Sequence, residues 1–256
     1  MPRLVEAALE KAVTIPSSTI HAHVESLRRR NPEASPEQLV RLLEKEYLLV
    51  VQATGGAVGA TAAAPAVGTG VALVLTASDV ATFFGASAAF ALAVASVHGI
   101  EVEDADRRRA LLLTTILGDA GGKIVTDGAE LTTVSVARTL LTRMPMATVR
   151  KVNTTMTRRL VRTQLTKQTG LAFGRMIPFG IGLVIGVTGA RALGKNVIEG
   201  ARTAFGPAPL AFPKVIEVAG PDDKPMILPA QQKRLPGRIK GLGSRKTVPD
   251  QKGPSV

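Results

Sequence analysis

The chain has 256 residues with no cysteine, no tryptophan, one tyrosine and seven phenylalanines, and a formal charge of +12. Zero cysteines exclude a disulfide framework, a thiol nucleophile and any zinc site that needs sulfur. A hydrophobic fraction of 45% excludes a wholly disordered chain, and the length allows one core or two small ones.

The amino-terminal MPRLVEAALEKAV reads as a short helix and not as a secretory signal, because acids interrupt it and no long apolar run follows. Pro16 separates it from a second helix, opened by Ser17 or Ser18 and closed by Arg28–Arg29–Arg30–Asn31–Pro32. Ser35–Pro36–Glu37–Gln38 predicts a helix start, with Ser35 as N-cap, Pro36 in the first position and Gln38 completing a capping box. Leu39, Leu42, Leu43 and Tyr47 then mark the apolar face of an amphipathic helix that runs into Gly55–Gly56.

Residues 47–78 hold no charge for 32 positions, and residues 80–97 hold neither charge nor histidine. Either run is long enough to span, since about 20 apolar residues cross a hydrocarbon core. Small residues recur every four positions at Gly56, Ala60, Ala64, Gly68 and Ala72, and again at Gly85, Ala89 and Ala93. Such ridges let helix backbones approach closely, as they do in lipid. Asp79, the sole charge between positions 47 and 100, is expected to cap the second helix of an apolar hairpin over about 56–98.

After His98–Gly99, the acidic stretch from Glu101 to Asp106 starts a helix at its positive end, and Arg107–Arg108–Arg109 and Leu111–Leu112–Leu113 follow. Two more helices are expected around Pro145. In the second, Val149, Val152, Met156 and Leu160 share one stripe, with Arg150, Lys151, Arg158 and Arg162 on the other side. That is the layout of a basic helix lying on a membrane, its stripe entering the interface. Residues 176–190 form a third uncharged run, too short for a comfortable span and suited to a buried or re-entrant helix, with Gly182, Gly186, Ala190 and Gly194 again four apart. Nine of the sixteen prolines fall after Gly206, so 207–256 is expected to be a disordered basic tail.

The charge is uneven. Residues 1–46 are neutral overall, 101–130 carry net −3, and 131–198 hold eleven bases and no acid. A stretch of that length without a carboxylate suits an anionic partner, either lipid headgroups or nucleic acid. The basic region 131–172 has no aromatic ring to stack on bases, which counts against single-stranded nucleic acid.

Chemistry-bearing motifs are missing. Gly118–Asp119–Ala120–Gly121–Gly122–Lys123 resembles a phosphate loop, but only three residues separate Gly118 from Gly122 and Ile124 stands where Ser or Thr would bind magnesium. It reads as a helix-breaking loop. His21 and His23 sit two apart, so they point away from each other on a helix. His98 closes an apolar helix, where a cationic end group is expected. There is no G-x-S-x-G elbow and no H-E-x-x-H, so no catalytic residue, metal or cofactor is expected.

The order of features resembles a known family. GGAVGATAAAPAVGTG is followed by an apolar run to HGIEVEDADRRRALLLTTILG, and IPFGIGLVIGVTGARALGKNVIEGARTAF closes the helical part. This pattern is similar to the EcsC family of bacterial proteins, named for the third gene of an operon that encodes an ABC transporter. The resemblance covers roughly residues 36–206 and implies a helical, membrane-associated protein with no catalytic residues to carry over.

The expectation is therefore an all-α bundle: N-terminal helices over 1–35, an EcsC-like domain over 36–206 with an embedded hairpin, and the tail. Its function is that of a non-enzymatic accessory protein of the bacterial cytoplasmic membrane with both termini in the cytoplasm. Anionic lipids, and a membrane protein such as a transporter, would be its partners. The alternative is a soluble helical binding module that uses 131–198 on nucleic acid or an acidic partner; an enzyme acting on lipids ranks third.

Overall fold

The computed structural model describes residues 2–62, 69–129, 135–171, 181–213, 216–218 and 226–227. Side chains are described over 3–57, 78–128, 135–162 and 187–213. In chain order the elements are α1 (Pro2–Ala12), α2 (Ser17–Arg30), α3 (Pro36–Ala62), α4 (Thr69–Val97), β1 (Ile100–Val102), α5 (Ala105–Leu117) and α6 (Asp119–Ala129). There follow α7 (Val136–Thr142), α8 (Met146–Leu171), α9 (Ile181–Phe205), β2 (Ile216–Val218) and β3 (Met226–Ile227). Among the described residues the chain is thus helical apart from three short strands.

The helix starts follow local chemistry. At α3 the Ser35 amide donates to Gln38 Oε1 at 2.9 Å and the Gln38 amide donates to Ser35 Oγ at 3.3 Å, a reciprocal capping box. Asp104 accepts the Arg107 amide at 2.8 Å and opens α5. Two helices end where the chain turns left-handed, α4 at Gly99 (φ 73°) and α9 at Gly206 (φ 72°), positions that favour glycine because it has no Cβ to clash.

One core joins all of this. The second half of α4 lies at its centre, with Phe84, Ala88, Phe90 to Ala95 and Val97 buried against α1, α2, α3, α5 and β1. Leu9 of α1 and Ile20, Val24 and Leu27 of α2 belong to the same cluster, so the first two helices are built into the bundle. Ala110–Leu113 of α5 are fully enclosed, and each buried leucine contributes about 1.5–3 kcal/mol.

Four features differ from the sequence expectation. First, α4 runs unbroken through Asp79, and the Thr82 hydroxyl donates to the Ser78 carbonyl at 2.8 Å across the supposed cap. An aspartate costs a helix interior only about 0.7 kcal/mol, and no glycine or proline adjoins it to force a break. The division between α3 and α4 comes earlier, in a segment that contains Pro65 and lies outside the described residues. Second, the stripe of Val149, Val152, Met156 and Leu160 is 0–3% exposed, because it packs into the core beside α5. It is not available to a membrane interface. Third, Ile100–Val102 is a strand and not helix. It pairs in parallel with β2, Ile100 against Ile216 and Val102 against Val218, while β2 pairs antiparallel with β3. The start of the supposed tail is therefore held by the sheet; residues 228–256 lie outside the described ones. Fourth, Gly118 ends α5 but Asp119 at once begins α6, so Gly121 and Gly122 are helical. A Cβ on Gly121 would lie 2.8 Å from Thr114 Cα, which is why the corner between α5 and α6 takes glycine.

Arg108 ties the fold at α5. It is 5% exposed and donates to backbone carbonyls in two other segments: Val102 at the end of β1 (2.6 Å), and Val13 (3.1 Å) and Ile15 between α1 and α2. It also donates to the Ser17 hydroxyl. Arg107 does likewise for the end of α7, donating to the carbonyls of Leu140 (2.6 Å) and Met144 (3.0 Å). Lysine has no planar fork to reach several carbonyls at once. Arg108→Lys should therefore lower stability by about 2 kcal/mol or more in urea unfolding.

Among the described glycines the tightest position is Gly200 of α9, where an added Cβ would fall 2.1 Å from the Thr115 carbonyl oxygen of α5. Gly189 on the same helix faces nothing within 4 Å. Gly200→Ala should destabilise by about 2 kcal/mol or more because backbone must move. Gly189→Ala should stabilise by up to about 1 kcal/mol through helix propensity, and thermal melting separates the two.

Candidate functional site

The first turn of α5 aims Asp106 and Arg109 toward α8, whose inward stripe of apolar residues fixes which of its side chains face them. Along α8, positions 150, 153, 154, 157, 158 and 161 follow helical spacing on the flank of that stripe. Together with Glu6 of α1 they enclose a cleft of about 650 Å³. Arg150 Nε donates to Asp106 Oδ2 at 3.0 Å. Arg109 Nη2 donates to Glu6 Oε1 at 2.6 Å and to Thr157 Oγ1 at 3.2 Å. Asn153, 6% exposed, sends Nδ2 to the Asp106 carbonyl at 2.8 Å. Arg158 and Arg162 complete the rim, so four guanidiniums face two carboxylates.

Of the side chains expected to meet an anionic surface, Arg150, Arg158 and Arg162 line this cleft; Lys151 is exposed and outside the lining. Arg109 and Asn153 escaped the sequence reading. Arg109 stood in a basic triplet with no hint of which members turn inward, and Asn153 interrupts a polar flank only once the stripe beside it is known to be buried.

The small-residue positions divide. Gly194 is buried, and a Cβ there would come within 2.9 Å of Leu48 Cδ2 and 3.7 Å of Tyr47 Cε1 on α3. Gly56 is buried on α3. Ala60, Ala72, Gly182 and Gly186 lie on α3, α4 and α9 with surroundings outside the described side chains, and Ala64 and Gly68 lie outside the described residues altogether. Gly85 meets nothing within 4 Å, so the ridge on α4 is not a close contact at that position.

The histidines have separate structural partners. His21 pairs with Glu101, and His23 Nε2 lies 2.9 Å from Glu46 Oε2. Among the described residues no three His, Cys, Asp or Glu side chains cluster as a metal site would need. Tyr47 of α3 stacks on Phe90 of α4 at 4.8 Å and shares a 2.9 Å hydrogen bond with Ser87; burial pushes its hydroxyl up to about 12. Compared with family models, with curated proteins and with solved structures, the chain matches none.

His98 is not the cationic helix end expected from its position. It is buried and stacked on Phe205 at 5.1 Å, and burial, then the nearby Arg138 charge, pull its pKa down to about 4. The folded state therefore holds fewer protons than the unfolded chain between about pH 4 and the ordinary value of 6.5. The stability supplied by the neutral ring is complete above that ordinary value and declines as pH falls toward 4. His98→Phe should flatten this part of the pH–stability curve, measured by urea unfolding at about pH 7 and about pH 5.

Proposed function

We propose that the protein is a membrane-associated accessory protein of the EcsC type, seated on the cytoplasmic face of a bacterial membrane with one end of its bundle dipped into lipid. The observation that carries this reading is the convergence of three uncharged helix ends. Gly194 of α9 faces Tyr47 and Val51 of α3, while Arg202 pairs with Glu44 through two bonds of 2.7 and 2.6 Å, so α9 runs antiparallel to α3. Tyr47 also lies against Ser87 and Phe90 of α4, and only six residues separate α3 from α4, which supports a reading in which α4 runs back along α3. Residues 52–62, 69–78 and 181–190, none charged, thus extend toward the same end.

Each of these stretches is about 15 Å long, at 1.5 Å per helical residue, which matches one leaflet of a hydrocarbon core about 30 Å thick. Ser78–Val97 is the one candidate span among the described residues, 20 residues with a mean hydropathy of 1.9, but 56% of it is buried within the bundle. A dipping end accommodates both facts where a full crossing by that helix would strip the core. At its edge Leu49 (73%), Val50 (44%) and Leu193 (46%) are exposed large apolar side chains, beside exposed Arg191 and Lys195 that can extend to headgroups. The charge of +12 favours an anionic leaflet and keeps the remaining helices on the cytoplasmic side.

The exposed basic side chains of α8 favour the second reading, a soluble module for an acidic partner. Flotation decides between them. The protein should float with phosphatidylglycerol vesicles, and Val71→Glu with Leu75→Glu should abolish flotation while leaving the helical melt in place, since each buried charge costs about 2.5–3.5 kcal/mol in lipid. Recovery of the wild-type chain as a detergent-free soluble monomer that ignores vesicles would remove the membrane reading.

A further inference from the structure

Three segments bring a hydroxyl, an imidazole and a carboxylate into line at the carboxyl end of α4. Ser96 lies in the last turn of that helix, and its Oγ is 3.3 Å from Nδ1 of His21 on α2. The other nitrogen of the same ring, Nε2, pairs with Oε1 of Glu101 at the centre of β1. Strand alternation accounts for that placement: Ile100 and Val102 turn into the core, so Glu101 between them turns to the opposite face, where it meets α2. Ser96 and His21 are 75 residues apart in sequence, so no local motif announces them.

This chain of contacts has a direction. An ionised carboxylate only accepts, so Nε2 carries the hydrogen shared with Glu101, and the neutral ring then presents the lone pair of Nδ1 to the Ser96 hydroxyl. A hydroxyl donating to a base that a third group orients is the arrangement that activates a nucleophile. Two negative groups favour the imidazolium formed when the base takes the proton: the Glu101 carboxylate and the carbonyl end of α4. The site is also open. Ser96 is partly exposed and His21 keeps 30% of its side chain in solvent, whereas Glu101, which has only to hold the ring, keeps 12%.

We propose that Ser96 is a base-activated nucleophile that takes an acyl group from a small carboxylic ester, with His21 as general base and Glu101 as positioning residue. The Ser96 hydroxyl gives its proton to His21 Nδ1 as Oγ bonds to the carbonyl carbon. The bond from that carbon to the leaving oxygen breaks, and the leaving alcohol takes the proton from Nδ1. Water attacks the acyl group on Ser96 in the same way, which releases the carboxylic acid and restores the hydroxyl. An ester is the fitting class because its alcohol leaves with less assistance than the amine of an amide, which suits a partly exposed site. Ser96 lies at the opposite end of α4 from its uncharged stretch, so this activity is independent of the membrane reading.

The test treats the full chain with an alkyl fluorophosphonate, in which phosphorus stands in for the carbonyl carbon and bonding to Oγ displaces fluoride. Peptide mass spectrometry should place the adduct on Ser96, formed at least about tenfold faster than on the same residue in urea. His21→Gln should slow the reaction at least about a hundredfold, the size of a lost general base. Glu101→Gln should lower the maximal rate of labelling about tenfold and leave the half-saturating concentration within about twofold, a split that simple loss of folding would not give. His23→Gln breaks a similar pair, with Glu46, on the same helix and should change labelling by less than about twofold. Steady hydrolysis of p-nitrophenyl acetate should fall in Ser96→Ala and in the labelled chain alike. The proposal is overturned if Ser96 gains no adduct, if the His21→Gln or urea-unfolded chain reacts as fast as the native one, or if His23→Gln loses as much as His21→Gln. It is equally overturned if the wild-type chain hydrolyses the ester no faster than Ser96→Ala.

Discussion

The buried guanidinium of Arg108 is the tie on which the arrangement of α5 depends. The carbonyls of Val13 and Ile15 have left α1 without reaching another helix, and Val102 is the last residue of a three-residue strand. Such groups must find a donor when they are enclosed. One planar cation with five N–H groups meets them together with Ser17. Since Asp104 fixes where α5 begins, it also fixes that residues 107 and 108 turn inward while Asp106 and Arg109 turn toward α8. The cap, the tie and the cleft are consecutive consequences of one helix start.

Much of the helical outline was readable from local chemistry. The capping box at Ser35 and the break at Pro16 involve residues near one another in sequence, and each is where spacing placed it. The inward arginines were not readable. Arg107, Arg108 and Arg109 are chemically identical, and only the convergence of carbonyls from distant segments decides which of them is buried. The stripe on α8 shows the same limit. Periodicity establishes that Val149, Val152, Met156 and Leu160 share an apolar face, but not whether protein or lipid covers it. The cleft was least readable of all, because its lining comes from α1, α5 and α8 and exists only when those helices are side by side.

The glycines of α9 show how a regular spacing can be right about a contact and incomplete about its purpose. Gly194 falls on the series of small residues four apart and lies tight against α3. Gly200 falls off that series and lies tighter still, against the backbone of α5. The helix is pressed on two sides, so it needs small residues on two faces, and a single ridge accounts for only one of them. This wedge carries α9 from the uncharged end of the bundle to α5, and so links the end proposed to enter lipid with the helix that builds the cleft.

The pairing of Ile100 with Ile216 has a consequence for the order of events during synthesis. Strand β1 follows α4 directly, yet its hydrogen-bonding partner is made only after α5 to α9 have been synthesised. Until then β1 lacks this partner, and the chain carries it unpaired through more than a hundred further residues of translation. Being short, with Glu101 at its centre, it offers a nascent neighbour little to pair with. Pairing of β1 with β2 then joins two segments far apart in sequence, and a ribosome stalled before codon 216 would hold a chain still lacking this latch.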